Sequence, residues 1–308
     1  MICFGFGKFM VAYITFMRIA VSIFLSLFLV SGLYAQHSYH ETIQAWKADR
    51  LKELKSENGW LNLAGLFWLN AGKQEFGSGG ADAIRFPIPS FPSAVGYYER
   101  KGDVVTQVIT KKVAIKVNGA EQQQAIVFHP DSTIQPLISF AAYRWNLIKR
   151  EDKIGIRFRN LKHPAIAALK EIPCFPIDTN FRVMAKLIRP LLQKSIPVEN
   201  VLGQTTMQLS PGKLYFSIQN IQYTLDALLE GDKLFIVFGD ATSGKTSYPA
   251  GRFLYAVMPG EDGLTILDFN QSFNPPCAFT PYATCPLPPK QNILPLAITA
   301  GEKKAGNH

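Results

Sequence analysis

Histidine and cysteine are both scarce in this chain of 308 residues, which carries five of one and four of the other. His37, His40 and His308 lie near the ends, and neither His129 nor His163 has a second ligand at metal-binding spacing, so no metal site is expected. No serine occupies a GxSxG elbow and no histidine is placed to activate Cys277, so nothing marks a serine or cysteine nucleophile. Charged residues are also few, at 18%. The net charge of +9 is scattered, with no spot denser than pairs such as Lys111-Lys112 and Lys303-Lys304. Nucleic-acid binding needs a clustered basic face and is not expected; an anionic ligand or a cell-envelope surface stays compatible. No internal repeat or low-complexity linker is present, no cofactor is expected, and the proline-rich run at 86–92 is the only seam.

Acidic residues are absent from the first 35 positions. From Met17, Arg18 supplies a positive start, the run from Ile19 to Val30 an apolar core, and Leu33-Tyr34-Ala35 a small-residue cut before Gln36. That order is a secretory signal, so residues 1–35 are expected to be removed and the protein to be secreted or periplasmic. A membrane is expected to matter only through an uncleaved signal, since the apolar character counted from Ile2 is long enough to span a bilayer. Loss of Lys8 and Arg18 lowers the net charge from +9 to +7.

The remaining chain, with an overall apolar content of 47%, can build a sizeable core. Residues 36–59 read as one amphipathic helix: Ile43, Trp46, Leu51 and Leu54 recur at helical spacing, and Asn58-Gly59 stops it. The period then changes. Residues 59–72 read as a buried hairpin, and a run of short strands follows: 95–100, 104–109, 113–117, 125–128, 143–147, 154–158, 181–187, 214–218, 221–225 and 234–238. Asn118-Gly119 is the strongest hairpin signal, with 125–128 as the expected return. Such a pattern predicts a mainly β fold, an antiparallel meander closed as a barrel or stacked as a sandwich, in a single domain over 60–302 with a disordered tail at 303–308.

Seven of the 20 prolines and two of the three cysteines after residue 35 fall between Leu264 and Glu302. Repeated proline excludes a helix there, and the low charge argues against disorder, so a rigid extended loop packed on a sheet is expected. Two readings of Cys277 and Cys285 stay open: a disulfide closing a short loop turned at Pro281-Tyr282, or two buried thiols. Gly239 to Thr246 matches the phosphate-cradling pattern GxxxxGK[ST], yet the continuation Ser247-Tyr248-Pro249-Ala250-Gly251 opposes the helix that the chemistry needs. No nucleotide is expected at that turn.

Several segments resemble the DUF1684 family of bacterial and archaeal proteins. They are Gly59-Trp60-Leu61, Gly65 to Leu69, Asp240 to Gly244 with Tyr248, Gly251 to Leu254, Leu267 to Asn270, Asn274 to Thr280, Thr284 to Pro289, Asn292 and Ala300 to Glu302. The likeness runs over nearly the whole chain after residue 35. It implies that Gly239 to Thr246 is a family turn with an incidental lysine, and it implies no activity.

Asp240, Arg252, Asn270, Asn274 and Thr284 are the candidate ligand-binding residues, because the strands carrying Arg252 and Asp268 are expected to be hairpin partners. The favoured expectation is a small polar or anionic ligand in a cleft under the Pro/Cys loop, held by the guanidinium fork of Arg252. One alternative is a hydrolase using Asp268 and Glu302 as an acid–base pair. The other is a structural or interaction domain, with these side chains bonding local backbone.

Overall fold

The period-2 alternation that dominates the sequence after residue 60 folds into two successive β bodies, each around its own hydrophobic core. The computed structural model describes residues 38–80 and 83–304. The expected signal, its cut and residues 305–308 of the expected tail lie outside the described residues. The chain divides into two compact units, Met1–Asp49 and Arg50–His308.

A single helix, α1, covers residues 38–55 and buries Ile43, Arg50 and Leu54. The sequence reading placed its end slightly later. Gly59 lies where the chain folds back on the helix: a Cβ there would meet the Leu54 carbonyl oxygen at 2.2 Å, and Leu61 N–H donates to that same oxygen at 3.2 Å. Only glycine tolerates so close an approach.

The first body contains β1 (Leu63–Leu69), β2 (Gly72–Gly77), β3 (Ile84–Arg85), β4 (Gly96–Lys101), β5 (Val104–Ile109), β6 (Lys116–Val117), β7 (Ala120–Glu121), β8 (Gln124–Phe128), β9 (Ile138–Phe140), β10 (Tyr143–Arg150) and β11 (Lys153–Asn160). They form two sheets, in the orders β1-β11-β10-β9-β6-β7 and β3-β2-β4-β5-β8. Only the short β2–β3 pair is parallel among the named pairs of these sheets. Phe76, Phe86, Tyr98, Trp145 and Phe158 pack in their shared core. Buried polar atoms need partners in such a core. Trp145 Nε1 donates to the Tyr98 hydroxyl at 2.9 Å, and Tyr98 donates to Gln107 Oε1 at 2.8 Å.

Two expected hairpins pair differently. Asn118 and Gly119 do turn the chain, with φ of 49° and 85°, but the return strand is β7, with Val117 opposite Ala120. Residues 124–128 instead pair with β5, where Val127 and Phe128 enter the core. Residues 59–72 form no hairpin. Strand β1 pairs with β11 while β2 pairs with β4, so Asn70-Ala71 turns a corner between sheets.

After the short helix α2 (Pro164–Ala168) the second body begins. Its strands are β12 (Arg182–Ile188), β13 (Lys194–Glu199), β14 (Thr205–Ser210), β15 (Gly212–Ile218), β16 (Ile221–Glu230), β17 (Lys233–Phe238), β18 (Arg252–Val257) and β19 (Leu264–Asp268). Six form the sheet β18-β17-β16-β15-β12-β19, and β13 with β14 makes a separate ribbon. The edge strands β18 and β19 come back alongside each other, where Thr265 Oγ1 donates to the Val257 carbonyl at 2.8 Å, so the sheet is a nearly closed barrel. They are neighbours and not the ladder partners the sequence suggested: β18 pairs with β17, and β19 with β12.

Inside this barrel lie Leu214, Leu225, Ile236, Phe238, Leu254 and Phe269, with Leu294, Ile298 and Ala300 inserted as a plug from the C-terminal segment. On its outer face Ile196, Val198, Phe235 and Phe253 pack with Ala283 and Cys285 of the Pro/Cys loop, and with Trp60 from the first body.

Candidate functional site

The letters of the phosphate-cradling motif fold into consecutive turns rather than a helix, and the next regular element is β18. An aspartate at the start of a turn accepts bonds from backbone two residues on, and Asp240 does this. Its Oδ1 takes the Thr242 N–H at 2.6 Å and the Thr242 hydroxyl at 2.5 Å, while Thr242 meets Ser247 Oγ at 2.7 Å. Its Oδ2 takes Arg252 Nη2 at 2.5 Å. Lys245 is exposed, and no helix begins at Lys245 among the described residues.

Arg252 is 1% exposed. Besides Asp240 it bonds the carbonyls of Ala300 (2.5 Å), Ile298 (2.9 Å) and Glu302 (3.3 Å). Burial pulls its pKa down and Asp240 opposes that pull. Both Nη groups are committed to Asp240 and to the C-terminal plug. Arg252 and Asp240 are therefore brought together as a clamp on the chain's own segment 298–302, with no Nη donor left for a ligand.

Asp268 caps the 3₁₀ turn Phe269–Gln271: its Oδ1 accepts from Asn270 N–H at 3.1 Å and Nδ2 at 3.2 Å. Arg182 Nε lies 3.9 Å from its Oδ2. Asn270 faces Asp178 in both directions, accepting its N–H at 3.0 Å and donating to its carbonyl at 2.8 Å, which ties the entry of β12 to the exit of β19. Glu302 is fully buried. One carboxylate oxygen accepts the Asn274 N–H at 2.7 Å and the other lies 3.4 Å from Arg50 Nε. Arg50 also donates to the Asn274 carbonyl at 3.1 Å and stacks 4.5 Å from the Phe273 ring. Burial holds the Glu302 carboxyl above the usual range, against Arg50. Asp268 thus bonds Asn270 and Gln271 and faces Arg182, whereas Glu302 bonds Asn274 and faces Arg50.

Thr284 stands apart from those clamps, on the Pro/Cys loop where it crosses the first body. The loop is anchored at Asn292, whose side chain bonds the Asp226 N–H (2.7 Å) and the carbonyls of Asp226 and Val237 (both 2.9 Å). Thr280 Oγ1 ties the loop to the Leu63 carbonyl of β1 at 3.1 Å, and Arg150 Nε donates to Thr284 Oγ1 at 3.3 Å. Because Ile154, Ile156 and Phe158 fill the core, alternation along β11 turns Arg157 and Arg159 to the opposite face.

Three arginines therefore gather where the loop covers that face. Arg159 donates to the Gly59 carbonyl and to Asn62 Oδ1, and Arg150 to Thr284. Arg157 lies 5.1 Å from the Trp60 ring, with Nε buried and without a hydrogen-bond partner. Among the described residues none of the three forms an ion pair. Burial, then the charges of Arg150 and Arg159, draw Arg157 down to about 10, with Cys285 opposing. Cys277 and Cys285 are thiols here, with Cys277 N–H donating to Cys285 Sγ at 3.0 Å and Tyr248 OH donating to the Cys277 carbonyl at 3.1 Å.

The sequence reading named Thr284 and the two cysteines but missed Trp60, Arg150, Arg157 and Arg159. The signal was available: in Gly155-Ile156-Arg157-Phe158-Arg159 the arginines alternate with core residues and must share a face. Among the described residues no group of three His, Cys, Asp or Glu side chains is placed to hold a metal.

The described residues thus define a mainly β protein with one N-terminal amphipathic helix, whose second body is a barrel-like sheet plugged by its own C-terminal segment. The chain belongs to the DUF1684 family of proteins of unknown function, whose model matches residues 167–303. That range holds the whole second body and the Pro/Cys loop, whereas Gly59 to Leu69 lie before it. The chain is similar to an uncharacterized protein of Haloarcula marismortui known from a solution NMR structure, at 30% identity over 47% of this chain and 82% of that one, with a TM-score of 0.39. No curated protein matches the chain.

Proposed function

We propose that the protein is exported and binds a small anion, a carboxylate or an oxyanion, against Arg157 beneath the Pro/Cys loop. The observation that carries this reading is a half-buried guanidinium whose buried Nε has no hydrogen-bond partner and which forms no ion pair among the described residues, near two further arginines. A charge withdrawn from water without a partner is costly, and an anion in the guanidinium plane relieves that cost with paired hydrogen bonds. Trp60 supports the guanidinium, and Arg150 and the Thr284 hydroxyl supply further donors. The role first considered for Arg252 passes to Arg157, since Arg252 already has Asp240.

The test is a thermal-shift panel of small mono- and dicarboxylates, sulfate and phosphate at constant ionic strength, with chloride as the reference. A ligand that binds only the folded state raises Tm saturably. At least one anion is expected to do so, and Arg157→Gln is expected to abolish the response while leaving the melting cooperative. No response beyond chloride, or an equal response in Arg157→Gln, would refute the reading. Export is checked by N-terminal sequencing of protein from the extracytoplasmic fraction, which should begin at Gln36.

A further inference from the structure

Two cysteines eight positions apart, Cys277 and Cys285, meet across the turn of the Pro/Cys loop. Proline at 276 opens the 3₁₀ turn Pro276–Ala278 and directs the Cys277 N–H onto Cys285 Sγ at 3.0 Å. Cys277 is half-buried and Cys285 is buried against the outer apolar cluster. Cys174 lies elsewhere, its thiol donating to the Ile172 carbonyl at 3.3 Å.

We propose that Cys277 and Cys285 form a thiol–disulfide exchange site, in which Cys277 attacks a small-molecule disulfide and Cys285 resolves the resulting mixed disulfide. Cys277 is the more accessible sulfur, and its proximity to Cys285 lowers the Cys277 thiol despite burial, while that proximity and burial push Cys285 up. The thiolate is the attacking species. The Cys277 sulfur displaces one RS⁻ from RSSR, so that the reagent's S–S bond breaks as the Cys277–SR bond forms. The Cys285 thiol then gives up its proton and its sulfur attacks the Cys277 sulfur, so that the Cys277–SR bond breaks as the Cys277–Cys285 bond forms and the second RS⁻ leaves. The two protons of the protein thiols leave with these fragments as two RSH. The protein dithiol loses two electrons and RSSR gains them. Thr284 lies inside the loop so closed, which couples the new bond to the segment that contacts Arg150.

The experiment treats the full chain with bis(2-hydroxyethyl) disulfide, a neutral reagent whose reaction does not depend on anion binding at Arg157, and maps thiols after acid quench and alkylation. Cys277 and Cys285 are expected to lose alkylation together while Cys174 keeps it. Cys285→Ser should trap a stable adduct on Cys277, and Cys277→Ser should slow adduct formation at Cys285 by about tenfold or more. Equal rates in the two variants, a mixed disulfide that persists in the wild type, or pairing with Cys174 would overturn the proposal. Should either variant fail to fold, the wild-type time course decides: the first thiol modified must be Cys277, and first modification at Cys285 or Cys174 refutes the assignment.

Discussion

Replacing Arg252 by methionine removes the donor that joins the turn 239–246 to the C-terminal plug. In the native structure its guanidinium serves the Asp240 carboxylate at 2.5 Å and the carbonyls of Ala300 and Ile298 at 2.5 and 2.9 Å. Removing one partner of a buried ion pair typically costs about 3–5 kcal/mol, because the remaining charge is left unpaired. Each carbonyl left without its donor adds about 1–3 kcal/mol, though Ser272 Oγ still donates to Ala300 O at 3.3 Å. Because the terms are not additive, we expect a loss of about 4–6 kcal/mol, a large part of a domain's usual stability of roughly 5–15 kcal/mol. All four tryptophans precede residue 150, so the readout should be urea unfolding followed by far-UV circular dichroism, with hydrogen exchange at β17 and β18. Asp240→Asn in the Arg252→Met background neutralises the orphaned carboxylate, and the double variant should regain about 2 kcal/mol relative to additivity. A loss below about 1 kcal/mol for Arg252→Met, or strict additivity in the cycle, would refute the clamp.

Glu302 supplies a pH signature. Its folded pKa is raised, so its contribution to stability is complete below the unfolded carboxylate value and is lost as pH rises through the folded one. Glu302→Gln should flatten that part of the stability–pH curve, measured by urea midpoints at constant ionic strength; an unchanged slope would refute the assignment. Tyr98→Phe removes the hydroxyl between Trp145 and Gln107 and should cost about 1–3 kcal/mol, visible in tryptophan-detected unfolding. Gly251 has φ +81°, and a Cβ there would lie 2.5 Å from both the Phe238 carbonyl oxygen and Pro288 Cγ. Gly251→Ala should therefore lower stability by more than the roughly 1–2 kcal/mol of left-handed strain alone, seen as a drop in Tm.

Much of the strand content was legible because β12 and β15 alternate between core and surface, and in β10 and β11 polar side chains alternate with the core residues Trp145, Leu147, Ile156 and Phe158. Pairing was harder to read. Whether β1 and β2 pair with each other or enter different sheets depends on long-range partners, and a short connection such as Asn70-Ala71 permits either. The Pro/Cys loop announced itself by composition, and Thr284 with its two cysteines does cross the first body. Arg252 and Asp268 carried a suggestive chemistry, yet their partners are the chain's own carbonyls, amides and opposite charges. A sequence shows which groups can bond and not which of them are already satisfied. For the same reason Arg157 was overlooked: what marks it is the lack of an anion partner, a property of its surroundings.

Anion binding at the Arg157 face is tested most directly by following arginine Nε–H resonances, assigned by Arg→Lys substitution, while the anion that raises Tm is titrated in. The Arg157 Nε signal should move saturably, with the midpoint found for the thermal stabilisation, while that of the committed Arg252 stays fixed. A stationary Arg157 signal, or movement confined to Arg252, would contradict the proposed site.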